Sequence, residues 1–229
     1  MKLAKLAIGF TALGLVLALV ASAEDKKEDL APADIKIPKP AYVGTPKNVP
    51  PGVVKPSGKP REKVMWPAGA ANLALKKTVT SSDKEPIIGS LPQITDGDKE
   101  ATEGSYVELG PGLQWVQIDL GKKADIYGFL IWHHHADPRV YKDVVVQVSD
   151  DPDFIDGVKT VFNNDKDNSS GLGLGTDPEY VEYYEGWLID LYKKGAPAQG
   201  RYVRLYSKGN TNDDQNHYTE VEVWGKEAK

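Results

Sequence analysis

Three of the chain's four histidines stand side by side, His133-His134-His135, in the stretch IWHHHADPRVY. Imidazoles are common metal ligands, and a catalytic zinc usually takes three protein side chains. The preceding DIYGFLIW reads as a strand, so alternation carries Phe129 and Ile131 into His133 and His135, and Leu130 and Trp132 into His134. His133 and His135 could then converge, with His217 of NDDQNHYTE as a third ligand, although no HExxH pattern accompanies them. The same residues also offer a ligand rim. Trp132, His133, His135, Asp137, Arg139 and Tyr141 combine aromatic surface with hydrogen-bonding groups, as a sugar site does. A third reading is a strand end whose histidines are satisfied by neighbours or water.

Two acidic loops offer oxygen chemistry. In QITDGDKEAT, Asp96 and Asp98 place carboxylates two residues apart across a glycine turn, with the Thr102 hydroxyl close behind. Calcium wants six to eight such oxygens, so this loop is either a cation site or a plain Asp-Gly turn. In NNDKDNSSGLGLGTD, residues 163–177, Asp165, Asp167 and Ser169 alternate as in an EF-hand loop. Ser170 stands where that loop needs glycine, and no helices flank it, so a surface loop is the simpler reading.

The elements that must hold these loops are strands. LQWVQIDLG puts Val116, Ile118 and Leu120 on one face and Trp115, Gln117 and Asp119 on the other. DVVVQVSDD aligns Val144, Val146 and Val148, RYVRLYS aligns Val203 and Leu205, and YTEVEVWG aligns Val221 and Val223. A period of two marks half-buried strands, and residues 73–80, 125–132, 159–162 and 186–191 are further candidates. Asp96-Gly97, Gly110-Pro111-Gly112 and Asp150-Asp151-Pro152 punctuate them. No stretch between 72 and 225 carries a helical period. About eight short antiparallel strands with unequal loops point to an all-β sandwich or jelly roll.

Taken in order, NLALKKTVTSS, ITDGD, WVQIDLG, YKDVVVQVSDDPDF, RYVRLYS and EVEVWG resemble the discoidin, or coagulation factor 5/8 type C, domain family. The resemblance spans roughly 70–225. It implies a galactose-binding-like jelly roll that is non-catalytic and binds glycans in bacterial members, or lipids and proteins elsewhere. It also implies a structural calcium held by the Gln93 carbonyl, Asp96, Asp98, Thr102, the Thr219 carbonyl and Glu220. Of these, Asp96 and Glu220 match the family pattern best.

Composition narrows the rest. Residues 1–23 read as a signal peptide: Lys2 and Lys5 precede an apolar run from Ala7 to Val20, and Ala21-Ser22-Ala23 offers the cleavage pattern. The run is shorter than the ~20 apolar residues of a spanning helix. The expectation is an exported chain, secreted or periplasmic, cut after Ala23 and without a membrane span. Residues 24–67 carry prolines at 32, 38, 40, 46, 50, 51, 56, 60 and 67, the composition of an extended, disordered linker. The discoidin-like domain then covers 68–226, and 227–229 are a tail. Removing two lysines takes the net charge of -5 to -7, which disfavours nucleic acid. With no cysteine and no GxSxG elbow, nucleophilic catalysis has no obvious agent. The reading is a non-catalytic module for a glycan or other cell-surface ligand. An exported protein partner served by a scaffolding subunit is the alternative, and a His-dependent metal protein or enzyme the second.

Overall fold

The computed structural model describes residues 28–46 and 49–228. The signal peptide expected at 1–23 lies outside them. The chain is an all-β jelly-roll sandwich, and its central element is one long strand, β6 (Gln114–Trp132). Before it come β1 (Leu30–Pro32), β2 (Met65–Pro67), β3 (Ala71–Asn72), β4 (Thr78–Ser81) and β5 (Val107–Leu109), with a short 3-10 turn at Leu91–Thr95. After it come β7 (Val145–Ser149), β8 (Lys159–Asn163), β9 (Trp187–Asp190), β10 (Ala198–Ser207), β11 (Asn216–Tyr218) and β12 (Glu220–Glu227). All strand pairs are antiparallel.

β6 belongs to both layers. Its first half lies between β4 and β10, and β7 and β8 extend that layer. Its second half lies between β12 and β9, with β3 beyond β12. The sequence offers LQWVQIDLG and 125–132 as separate strands, with Gly121-Lys122-Lys123 at the join. The chain instead continues through it. Gly121, at φ +84°, supplies the backbone twist. β10 spans both halves, absorbing the change of layer in an irregularity between Gly200 and Tyr202.

The expected alternation holds on the inner faces. Val116, Ile118, Val144, Val146, Val148, Val203, Leu205, Val221 and Val223 are fully buried in the core between the layers. The second half of β6 is dry on both faces. Phe129 and Ile131 face that core, while Leu130 and Trp132 pack outward with Val64, Trp66, Tyr127 and Trp224.

This second cluster overturns the disordered linker expected at 24–67, whose described part is a docked strap. β1 and β2 pair, Trp66 is fully buried, and its indole N–H donates to Asp190 Oδ1 at 3.0 Å. Val54 forms a parallel bridge with Tyr180, and the Tyr42 hydroxyl donates to the Glu182 carbonyl at 2.5 Å. Proline density deprives the strap of a long ladder, so spaced apolar anchors hold it instead. Burying an aromatic of this size stabilises by about 3 kcal/mol. Gly128 makes room: a Cβ there would sit 2.6 Å from Trp66 Cζ2 and 2.7 Å from the Ile189 carbonyl oxygen.

Candidate functional site: the loop end of the sandwich

The loops leaving β5, β6, β8 and β10 gather at one end of the sandwich. The Asn216 amide donates to the carbonyls of Gly110 and Gly112 at 2.9 and 3.0 Å. Tyr141 bridges to Asn210, and the Asn164 N–H donates to the Val144 carbonyl.

Beneath these loops lies a buried polar layer. His133 is fully buried, and its Nδ1 donates to Glu182 Oε1 at 2.7 Å. Its ring stacks on Tyr141 at 4.3 Å. The Tyr141 hydroxyl bonds His217 Nδ1 at 2.8 Å, and His217 Nε2 lies 3.3 Å from Glu108 Oε2. A carboxylate only accepts, so Nε2 of His217 carries the proton and Nδ1 takes the tyrosine O–H. His135 points elsewhere, donating from Nε2 to the Lys99 carbonyl at 2.9 Å. Burial pushes the pKa of both His134 and His217 down to about 4, and nearby Arg139 adds to the effect. Burial likewise holds the Tyr141 hydroxyl well above its ordinary value.

The histidines therefore do not converge on a metal. Among the described residues, the only group of three or more His, Asp or Glu with ligand atoms all within 4.8 Å of one another is Asp143, Asp165 and Asp167. The ligand rim expected at Trp132, His133, His135, Asp137, Arg139 and Tyr141 is corrected too. Trp132, His133 and His135 are fully buried, Tyr141 and Arg139 nearly so, and of the six only Asp137 keeps substantial exposure. The strap covers the outer face at Trp132, while Tyr141, Tyr218 and Glu182 close over His133 on the inner face. Arg139 is bidentate to Asp137, at 3.1 and 2.9 Å, and reaches Asp213 at 3.3 Å. Burial works against its charge, but the bonds to Asp137 hold the guanidinium above its ordinary pKa. It fastens two loops together.

The open space lies beside this layer. A cleft of about 600 Å³ is lined by Gly112, Lys142, Asp143, Asn164, Lys208 and Asp214, among others. Its wall from the 163–177 loop is ordered by Asp165, which accepts the N–H groups of Ser169 and Ser170 and the Ser170 hydroxyl. Burial opposes that charge, yet the bonds from Ser170 and Ser169 bring the Asp165 pKa down to about 2. Ser169 donates to Asp143 Oδ2 at 2.5 Å, tying the loop to the chain before β7.

At the 96–105 loop the carboxylates meet β12. Glu220 is fully buried; its Oε2 accepts the Gly97 N–H at 3.1 Å and its Oε1 has no partner. Burial, with Glu222 and Asp96 adding, raises its pKa to about 9. An orphaned buried carboxylate oxygen beside an exposed aspartate turn fits a cation. Asp98 turns toward Ser105, whose hydroxyl donates to it at 3.0 Å, and Thr102 bonds the same hydroxyl. The Gln93 side chain is spent on the Ser90 N–H and the Gly104 carbonyl, and the Thr219 hydroxyl donates to the His133 carbonyl. From Gln93 and Thr219, backbone oxygens would have to serve.

Sequence reasoning singled out Asp165, Asp167, Ser169 and His217, but missed Glu182, Glu108 and the cleft residues Lys142, Lys208 and Asp214. Glu182 in VEYYEG carries no signal until the topology sets it against His133.

No family model and no curated protein matches the chain. Among solved structures, a family 89 glycoside hydrolase from Clostridium perfringens aligns with a TM-score of 0.50 and 19% identity over 69% of this chain. The match spans only 15% of that enzyme's chain. A fucose-binding module from Streptococcus pneumoniae aligns at TM-score 0.46 and 17% identity, over 67% of this chain and 96% of the module. A chitosan-binding module of a chitosanase/glucanase from Paenibacillus sp. IK-5 aligns at 0.43 and 21%, over 68% and 99%. At such identities the likeness is one of fold.

Proposed function

We propose that this chain is a non-catalytic, exported binding module that recognises a carbohydrate, or another polar cell-surface ligand, at the loop end of its jelly roll. The observation that carries the reading is the cleft of about 600 Å³, where four connections meet and charged and amide side chains converge. Lysines, carboxylates and an amide at close quarters offer both donors and acceptors, which is what hydroxyl-rich ligands require. The order of motifs resembling discoidin domains supports the same class. No helix among the described residues is long and apolar enough to cross a membrane, and export rests on the N-terminal sequence.

We assign the orphaned Glu220 oxygen to a structural calcium, held with Asp96, Asp98 and Thr102 and completed by the Gln93 and Thr219 carbonyls. Bound there, the ion would supply positive charge that joins the loop to β12; it has no part in any reaction. Arg139 and the histidines position the loops.

A glycan array, run with and without calcium, tests the binding. Binding by the wild-type protein that is lost in a Lys142→Ala, Asp214→Ala variant with an unchanged melting temperature is the expected result. Both side chains are exposed, so folding should survive their loss. A blank array, with an exported protein co-purifying instead, would turn the reading toward a scaffolding subunit.

A further inference from the structure

The outer face of β12 carries three side chains in file. Val221 and Val223 point into the core, so Glu220, Glu222 and Trp224 point the other way. Each meets a different neighbour. Glu220 accepts the Gly97 N–H, Glu222 takes the ammonium of Lys99, and the Trp224 ring lies 5.6 Å from that of Trp66 in the strap. The aspartate turn and the strap thus sit on adjacent positions of one strand.

Lys99 is the joint between them. It follows Asp98 directly, yet it is only 7% exposed, which a lysine tolerates when it is paired. Its Nζ lies 2.5 Å from Glu222 Oε1, donates to the Lys36 carbonyl of the strap at 3.1 Å, and stands 5.0 Å over the Trp132 ring. The Lys99 carbonyl accepts from His135 Nε2 at 2.9 Å, which ties the loop backbone to the chain leaving β6. The other Glu222 oxygen accepts the Trp224 indole N–H at 2.8 Å. Ala33 and Ile35 of the strap pack on the same cluster as Trp224 and Trp132. A buried ammonium is stable only with its partners in place, so Lys99 holds Glu222 and the strap together or neither.

We propose that calcium binding at the aspartate turn and docking of the strap are coupled, with Lys99 as the positioning residue that links them. The proposal rests on the assignment of calcium to this loop. Asp98 and Glu220, once drawn onto a common cation, fix the turn immediately before Lys99. That favours the arrangement in which its ammonium reaches both Glu222 and Lys36. By linkage, the docked strap raises the calcium affinity by the same factor.

The test follows cleavage of the Lys36–Ile37 bond in the full chain by a lysine-specific protease, with saturating calcium and with EDTA. A short peptide substrate controls for any effect of calcium on the protease. The Lys36 side chain is 77% exposed, but its carbonyl is bound to Lys99, so cleavage requires the strap to lift. The expected result is cleavage at least about fivefold slower with calcium, the low end of typical coupling. In Lys99→Met, calcium should still raise the melting temperature, while cleavage after Lys36 is fast and indifferent to it. Should that variant fail to fold, Lys99→Met with Glu222→Gln removes both buried charges and must show the same indifference. Reciprocity adds a second measurement: calcium titrated by calorimetry should bind Trp66→Ala at least about fivefold more weakly than wild type. Calcium that binds without slowing cleavage, or that protects Lys99→Met as well as wild type, overturns the coupling and leaves the calcium site standing. Wild-type protein that takes up no calcium removes the site and the coupling with it.

Discussion

Replacing Arg139 by alanine would leave Asp137 and Asp213 without the cation they share. Arg139 is 7% exposed, but Asp137 and Asp213 keep 45% and 35% of their side-chain surface and can be rehydrated, so the loss costs about 1 kcal/mol. The expected outcome is a lower melting temperature that Arg139→Lys does not restore, since an ammonium cannot fill a bidentate fork. An unchanged melt in Arg139→Ala would return this residue to the ligand-binding candidates. His217 predicts a pH dependence. Its folded pKa of about 4 lies below the ordinary 6.5, and the same holds for His134. Between these values the unfolded chain binds protons that the fold refuses. The contribution is therefore intact above pH 6.5 and is lost as pH falls toward 4. Melting curves from pH 4 to 7 should show a shallower acid loss in His217→Gln than in wild type. Equal slopes would mean that His217 titrates normally in the folded chain.

The strap sets the energetics at the scale of elements. Trp66→Ala should cost about 3–5 kcal/mol and open the strap to proteases while the sandwich stays folded. Gly128→Ala reaches the same end from the other side, because its new methyl occupies the indole's place. If both variants melt as wild type does, the strap contributes nothing to stability. At the 96–105 loop, chelation by EDTA should lower the melting temperature of wild type but not of Asp96→Ala. Calcium at about a hundred times its dissociation constant adds about 2.7 kcal/mol. The strands between layers were legible in the sequence because each faces one core, which writes a period of two. The strap was not, since its anchors Val53, Val64 and Trp66 follow no period and lie among prolines. The histidines misled for a related reason. Alternation set His133 and His135 in line with Phe129 and Ile131, but nothing in IWHHHADPRVY shows that Tyr141, Tyr218 and Glu182 close over His133 there.

For the molecule as a whole, Glu182 ties the strap to the buried polar layer under the loops. Glu182 Oε1 accepts from His133 under the loops, while its carbonyl accepts from Tyr42 of the strap. The continuous course of β6 has a consequence for how such a structure comes apart. Its first half is hydrogen-bonded to β4 and β10 and its second to β12 and β9. Neither layer can open without breaking a strand that the other needs. The amide protons of β6, from Val116 to Ile131, should therefore exchange with deuterium only through global opening, at one common rate limit for both halves. Two separate limits would show that the bend at Gly121 divides the sandwich into independent units of cooperativity.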